Sequence, residues 1–123
     1  MFEQDLILEP PFSNWRGVIR IWLDDVRLPP PNNWTWCKTV ESAIALLEEG
    51  SVCAISLDHD LARDKTGYDL AVWIEEKAHE GKLPRMAWRV HTANSAAYKR
   101  MVQAMENADK YWEEHKLNAL QAS

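Results

Sequence analysis

Cysteine and glycine are scarce in this 123-residue chain, with two of the first and four of the second. Cys37 and Cys53 stand sixteen residues apart with no CxxC around them. They cannot build a disulfide framework or a zinc site, and they read as two buried thiols of a reducing compartment. Positive charge is also short. Fourteen Lys and Arg meet nineteen Asp and Glu, a net charge of −5, which argues against a protein that coats duplex DNA. No apolar run approaches the ~20 residues of a membrane helix, so the chain is not expected to span a membrane. Residues 1–9 carry acids and lack both the basic start and the long apolar stretch of a secretory signal, which makes a cytoplasmic location the expectation. Repeats and low-complexity segments are absent.

What is there is ordinary for a globular domain: 46% hydrophobic and 27% charged residues. The length is that of one domain, enough to bury roughly two-thirds of its unfolded surface. Residues 1–16, with Leu6-Ile7-Leu8 and Pro10-Pro11, read as an N-terminal arm or edge strand. Residues 17–112 read as the domain, and 113–123 as a polar tail that frays. Seven tryptophans exceed what such a core requires. Trp34 and Trp36 sit beside the run Pro29-Pro30-Pro31, where packing of a loop is preferred to a base-stacking platform.

The run from Val18 to Leu23 is β-branched, nearly continuously apolar, and ends in Asp24-Asp25. That pattern predicts a central strand of a covered parallel sheet. Pro29 to Asn33 predicts a loop, and residues 34–38 a second strand. Thr39 is placed to cap a helix with Val40, Ala43, Ile44 and Leu47 on one face, stopped by Gly50. Val52 to Leu57 predicts a third strand, ending in Asp58-His59-Asp60. Thr66 and Asp69 have capping-box spacing ahead of a helix bearing Leu70, Trp73, Ile74 and Ala78, closed by Gly81 and Pro84. Residues 85–91 alternate strictly, as a strand near a sheet edge does. Ser95 opens a last helix expected to run to Trp112. This alternation implies an α/β fold with right-handed crossovers and helices packed on a parallel sheet of four to five strands.

Three strands thus end in polar clusters: Asp24-Asp25, Asp58-His59-Asp60, and His91-Thr92-Ala93-Asn94. Ligands of open parallel sheets bind beyond the carboxyl ends of the strands. Solvated loop acids would explain any one cluster; three at one edge predict a site. Carboxylates gathered in one crevice repel unless a cation sits among them. All-oxygen ligands suit Mg²⁺ or Mn²⁺ better than zinc, and such ions typically clamp phosphates. Residues 81–105 hold Lys82, Arg85, Arg89, Lys99 and Arg100 and no acid, a basic neighbour for that crevice. His59 and His91 lie beside these polar groups, where an imidazole can pass protons near neutral pH. His79 and His115 fall on helical patterns and receive no role.

The segments Trp22-Leu23-Asp24-Asp25-Val26-Arg27, Ile55-Ser56-Leu57-Asp58-His59-Asp60-Leu61, Thr66-Gly67-Tyr68-Asp69 and His91-Thr92-Ala93-Asn94 resemble a response-regulator receiver domain. More closely, they resemble its divergent offshoot, the cyclic-phosphate processing receiver-like domain. The resemblance spans residues 18 to about 106. It implies a flavodoxin/receiver-like three-layer fold with helices on both faces, and an intracellular enzyme acting on cyclic-phosphate nucleotides or RNA ends. Two departures stand out: a proline loop replaces the receiver's first helix, and the receiver's strand-borne lysine is not found, which speaks against phosphorylation of Asp58 as a switch.

On this basis the expected function is metal-assisted opening of a cyclic phosphate. Asp24, Asp25 and Asp58 would hold Mg²⁺ or Mn²⁺, and His59 or His91, with Asp60, would move protons. Arg27, Arg63, Thr92 and Asn94 would steady the phosphate. A metal-free two-histidine phosphoesterase is disfavoured, because the threonine of His91-Thr92-Ala93 comes one place early for an H-x-T motif. The alternative is a non-catalytic module binding a nucleotide or partner protein through the same crevice.

Overall fold

The computed structural model describes residues 18–31, 33–61 and 64–122. The proposed arm, residues 1–16, and the candidate Arg63 lie outside the described residues. In chain order the elements are β1 (Ile19–Leu23), β2 (Trp34–Cys37), α1 (Val40–Glu48), β3 (Val52–Leu57), α2 (Gly67–Glu80), β4 (Ala87–Val90) and α3 (Ser95–Ala122). All pairings are parallel, in the order β2-β1-β3-β4. This is the flavodoxin/receiver-like α/β arrangement. β3, the most apolar run, lies inside the sheet with all six residues buried, while the alternating β4 forms an edge.

The helix boundaries follow from local chemistry. The Thr39 hydroxyl accepts the Ser42 amide at 3.1 Å and opens α1. At α2 the capping box is complete: Asp69 accepts the Thr66 amide at 2.8 Å, and the Thr66 hydroxyl accepts the Asp69 amide at 3.4 Å. Gly81, at φ 72°, ends α2 in the left-handed conformation that glycine adopts without cost. Asn94 starts α3 by accepting the Ala97 amide at 3.0 Å. α3 differs from expectation at its other end. Burial stops at Trp112, yet the helix continues to Ala122. No Gly or Pro interrupts residues 113–122, and Glu, Lys, Leu, Ala and Gln are good helix formers, so propensity sustains what packing does not.

Paired residues of a parallel sheet share a face. Ile21 pairs with Ile55, and Leu23 with Cys37 and Leu57, which in turn pairs with Val90. These residues form one core with Val40, Ala43 and Leu47 of α1, Leu70 and Ile74 of α2, and Met101 and Met105 of α3. Burying one such side chain stabilises the fold by about 1.5–3 kcal/mol. Among the described residues, then, the helices do not divide between the two faces as expected; all three pack on this one. The reason is local: residues 24–31 form bends and turns where a helix on the opposite face would begin. That opposite face carries Trp22, Trp34, Trp36, Cys53, Ala54 and Ala87, with Trp22 and Trp34 edge to face at 5.9 Å.

β1 lies between β2, which bears Cys37, and β3, which bears Cys53. Both thiols are free and buried, and desolvation pushes both above the ordinary thiol range. Ellman's reagent should therefore find no reactive thiol in the native protein at pH 8 and two after unfolding. One fast-reacting thiol in the native state would contradict this packing.

Candidate functional site

The backbone ladder runs one hydrogen bond past each strand. The amide of Asp24 donates to the Cys37 carbonyl at 3.1 Å, that of Asp58 to Leu23 at 2.9 Å, and that of His91 to Leu57 at 2.8 Å. These bonds set Asp24, Asp58 and His91 side by side at the carboxyl ends of β1, β3 and β4. By strand alternation all three share the face that carries Trp22 and Ser56.

Asp24 is almost wholly buried, at 1% exposure. Its Oδ1 accepts the amides of Val26 and Arg27 at 2.9 and 2.8 Å, and its Oδ2 accepts from His91 Nε2 at 3.0 Å. A carboxylate offers roughly four lone-pair directions, so one remains for a cation. Asp58 Oδ1 accepts the His59 amide at 2.8 Å, and Thr92 bonds the same side chain. Burial raises the Asp58 carboxyl above the usual carboxylate range, and the Asp24 charge raises it further. The His59 amide, Thr92 and the Arg27 charge pull the other way. Ligand atoms of Asp24, Asp25 and Asp58 all lie within 4.8 Å of one another. Three hard oxygen donors, two of them buried and mutually repelling, could hold a metal ion.

The two histidines are held differently. A carboxylate oxygen accepts, so with Asp24 as acceptor His91 Nε2 donates to it and Nδ1 accepts from the Ser56 hydroxyl at 2.7 Å. The imidazole also stacks on the Trp22 indole, with centroids 3.8 Å apart and planes 6° from parallel. Burial lowers the His91 pKa to about 4; the bond to Asp24 opposes this, and the charges of Arg27 and Arg89 add to it. Both nitrogens of His91 are thus engaged within the protein. His59 bonds Asp60 through Nδ1 at 2.7 Å, which directs its Nε2 elsewhere.

Arg27 is exposed, and its charge acts on both Asp58 and His91. Its backbone anchors the proline loop, because its carbonyl accepts the Trp22 indole N–H at 2.9 Å. Trp36 donates to the Asp24 carbonyl at 2.6 Å, so two tryptophans fasten the loop. Thr92 accepts the Asn94 amide at 3.3 Å, and the Oδ1 of Asn94 is used as the cap of α3. Among the expected basic neighbours, Arg89 acts on His91, whereas Arg85 reaches Glu113 and Lys82 reaches Glu80. Ser56 and Trp22 stand within the segments that carry the family resemblance, but the sequence alone assigns neither a role in the site. Ser56 is a polar residue inside an apolar strand two places before Asp58, and that was the signal available.

Over residues 19–107 the chain matches the family described as the cyclic-phosphate processing receiver domain. The matched stretch begins with β1, ends in α3, and contains all the described site residues. No curated protein and no solved structure matches the chain.

A histidine whose folded pKa lies below its ordinary 6.5 binds its proton less well in the native state than in the unfolded state. Its contribution is fully present above pH 6.5 and is lost as the pH falls toward 4. Urea denaturation should show parental stability declining through this window. His91→Gln, which removes the titration, should show a shallower decline. Equal slopes in the two proteins would contradict the buried, neutral His91.

Proposed function

The chain belongs to the cyclic-phosphate processing receiver family, and from that premise we propose that it is a metal-assisted phosphoesterase that opens a cyclic phosphate on a nucleotide or an RNA end. The observation that carries this reading is the convergence of Asp24, Asp25 and Asp58 at the carboxyl edge of the sheet. These residues would hold Mg²⁺ or Mn²⁺, ions suited to all-oxygen donors that retain water. The ion would neutralise charge on the non-bridging phosphate oxygens.

We assign proton transfer to His59. With Nδ1–H directed at Asp60, a lone pair on Nε2 would accept a proton from water as its oxygen attacks phosphorus. The bond from phosphorus to one ribose oxygen breaks, that oxygen takes the proton, and a phosphomonoester remains. We assign His91 to holding Asp24, because its two nitrogens already serve Ser56 and Asp24. Arg27, Arg63, Thr92 and the amide nitrogen of Asn94 are the proposed phosphate contacts, Arg27 being the one whose charge acts on Asp58. The competing reading, a module that binds without turnover, gains some support from the engagement of His91 and Asn94 within the protein.

The test is a screen of 2′,3′-cyclic nucleotides, cyclic-phosphate RNA ends and cyclic dinucleotides with and without Mg²⁺ or Mn²⁺. Metal-dependent release of a phosphomonoester is expected; tight binding without product would favour the module. Asp58→Asn should abolish turnover and weaken Mn²⁺ binding. It should also raise the metal-free melting temperature by a few degrees, because it removes a desolvated charge beside Asp24. A less stable variant with full turnover would sink the proposal.

Arg27→Ala should raise KM about tenfold or more, the scale of one lost charge-assisted hydrogen bond. The melting temperature should hold, since the loop is anchored by the Arg27 backbone rather than its side chain. An unchanged KM would remove Arg27 from the site.

A further inference from the structure

Gly67 is the first residue of α2 and lies directly under the loop that carries Asp58 and His59. A Cβ built on it would overlap the Asp58 carbonyl oxygen and come within 2.8 Å of that carbonyl carbon and of Met101 Cε. The Met101 methyl ends a flexible side chain and can move. The Asp58 carbonyl can yield only together with its loop, because the Asp58 amide is bonded to Leu23 and its side chain accepts the His59 amide. Gly67 also donates its own amide to the His59 carbonyl at 3.1 Å. One residue without a side chain therefore sets the height of α2 beneath both Asp58 and His59. The capping box one residue upstream fixes where the helix starts, so Gly67 cannot slide along it to escape.

We propose that Gly67 is a positioning residue for the site, holding the Asp58 carboxylate and the His59–Asp60 pair in place through direct backbone contact. The inference rests on the metal-assisted reading above, but the contact exists whether or not that reading holds. Any side chain at position 67 must push the end of β3 and α2 apart. It would thereby separate Asp58 from Asp24 and Asp25, whose ligand atoms now lie within 4.8 Å of it and of each other. Sub-ångström displacement of one ligand is enough to weaken a small, hard cation, which demands near-ideal geometry.

The test compares the parent with Gly67→Ala and Gly81→Ala. The second places a side chain at a left-handed position, φ 72°, where strain costs stability. Each is characterised by its metal-free melting temperature, Mn²⁺ titration and amide NMR spectrum. Gly67→Ala should move the Asp58 and His59 amide resonances and weaken Mn²⁺ binding at least tenfold. Gly81→Ala should lose stability and keep parental affinity. Adding Met101→Ala to Gly67→Ala should not restore affinity, because it relieves only the movable contact. Parental Mn²⁺ affinity with unmoved Asp58 and His59 resonances in Gly67→Ala would overturn the proposal. If the parent binds no Mn²⁺, the metal reading fails by itself, and the two resonances still decide the positioning role. If Gly67→Ala does not fold, hydrogen exchange of the Gly67 amide in the parent decides. Slower exchange with Mn²⁺ supports the coupling, and an unchanged rate overturns it.

Discussion

A slip of one residue in any strand pairing would dismantle the site, because it would send every side chain of that strand to the other face. The register Leu23↔Cys37, Leu23↔Leu57 and Leu57↔Val90 is therefore the constraint on which the rest depends. It places residues 24, 58 and 91 level with one another, and the terminal ladder bonds hold each of them there. The register is in turn held by burial: Ile21, Leu23, Ile55 and Leu57 are wholly inaccessible, and a slip would expose them. The hydrophobic core and the polar edge are thus one specification, written in alternate residues of the same strands.

The consequence is electrostatic. Strand pairing brings Asp24 and Asp58 together without regard to their charge, and the protein answers with hydrogen bonds. Asp24 receives two amides and an imidazole; Asp58 receives one amide and Thr92. Asp24 is thereby tied into the proline loop and to β4. Asp58 has fewer such bonds; burial raises its pKa first, and the neighbouring Asp24 charge raises it further. His91 ties the arrangement together, since its side chain joins the end of β4 to Asp24 after β1 and to Ser56 of β3.

Much of this was legible beforehand where short-range chemistry decides. The polar endings of three apolar runs marked the edge of the sheet, and the Thr66–Asp69 spacing marked the start of α2. The acids later found together, Asp24, Asp25 and Asp58, stood out because they belong to polar clusters that end separate strands at one edge of the sheet, where ligands of open parallel sheets bind. What escaped depends on distances between strands. Ser56 and Trp22 matter only because His91, distant in sequence, comes to lie on both. The placement of all three described helices on one face, and the continuation of α3 beyond Trp112, were missed for opposite reasons. The first is decided by tertiary packing, and the second by propensity where packing is absent. Gly67 appeared in the sequence as part of a motif, but its reason is a close approach to the Asp58 carbonyl that only three dimensions reveal.

α3 keeps its exposed turns from Glu113 to Ala122, a length of about 15 Å at the α-helical rise. Near its base this stretch is braced by His115 against the His79 carbonyl at 2.9 Å and by Glu113 against Arg85 at 3.4 Å. It therefore works as an outrigger with a fixed bearing. A probe joined to it by uninterrupted helix would inherit both an offset and a rotational phase, each added residue turning it by about 100° and advancing it by about 1.5 Å. Orientation-sensitive labels could be aimed around the molecule simply by counting residues.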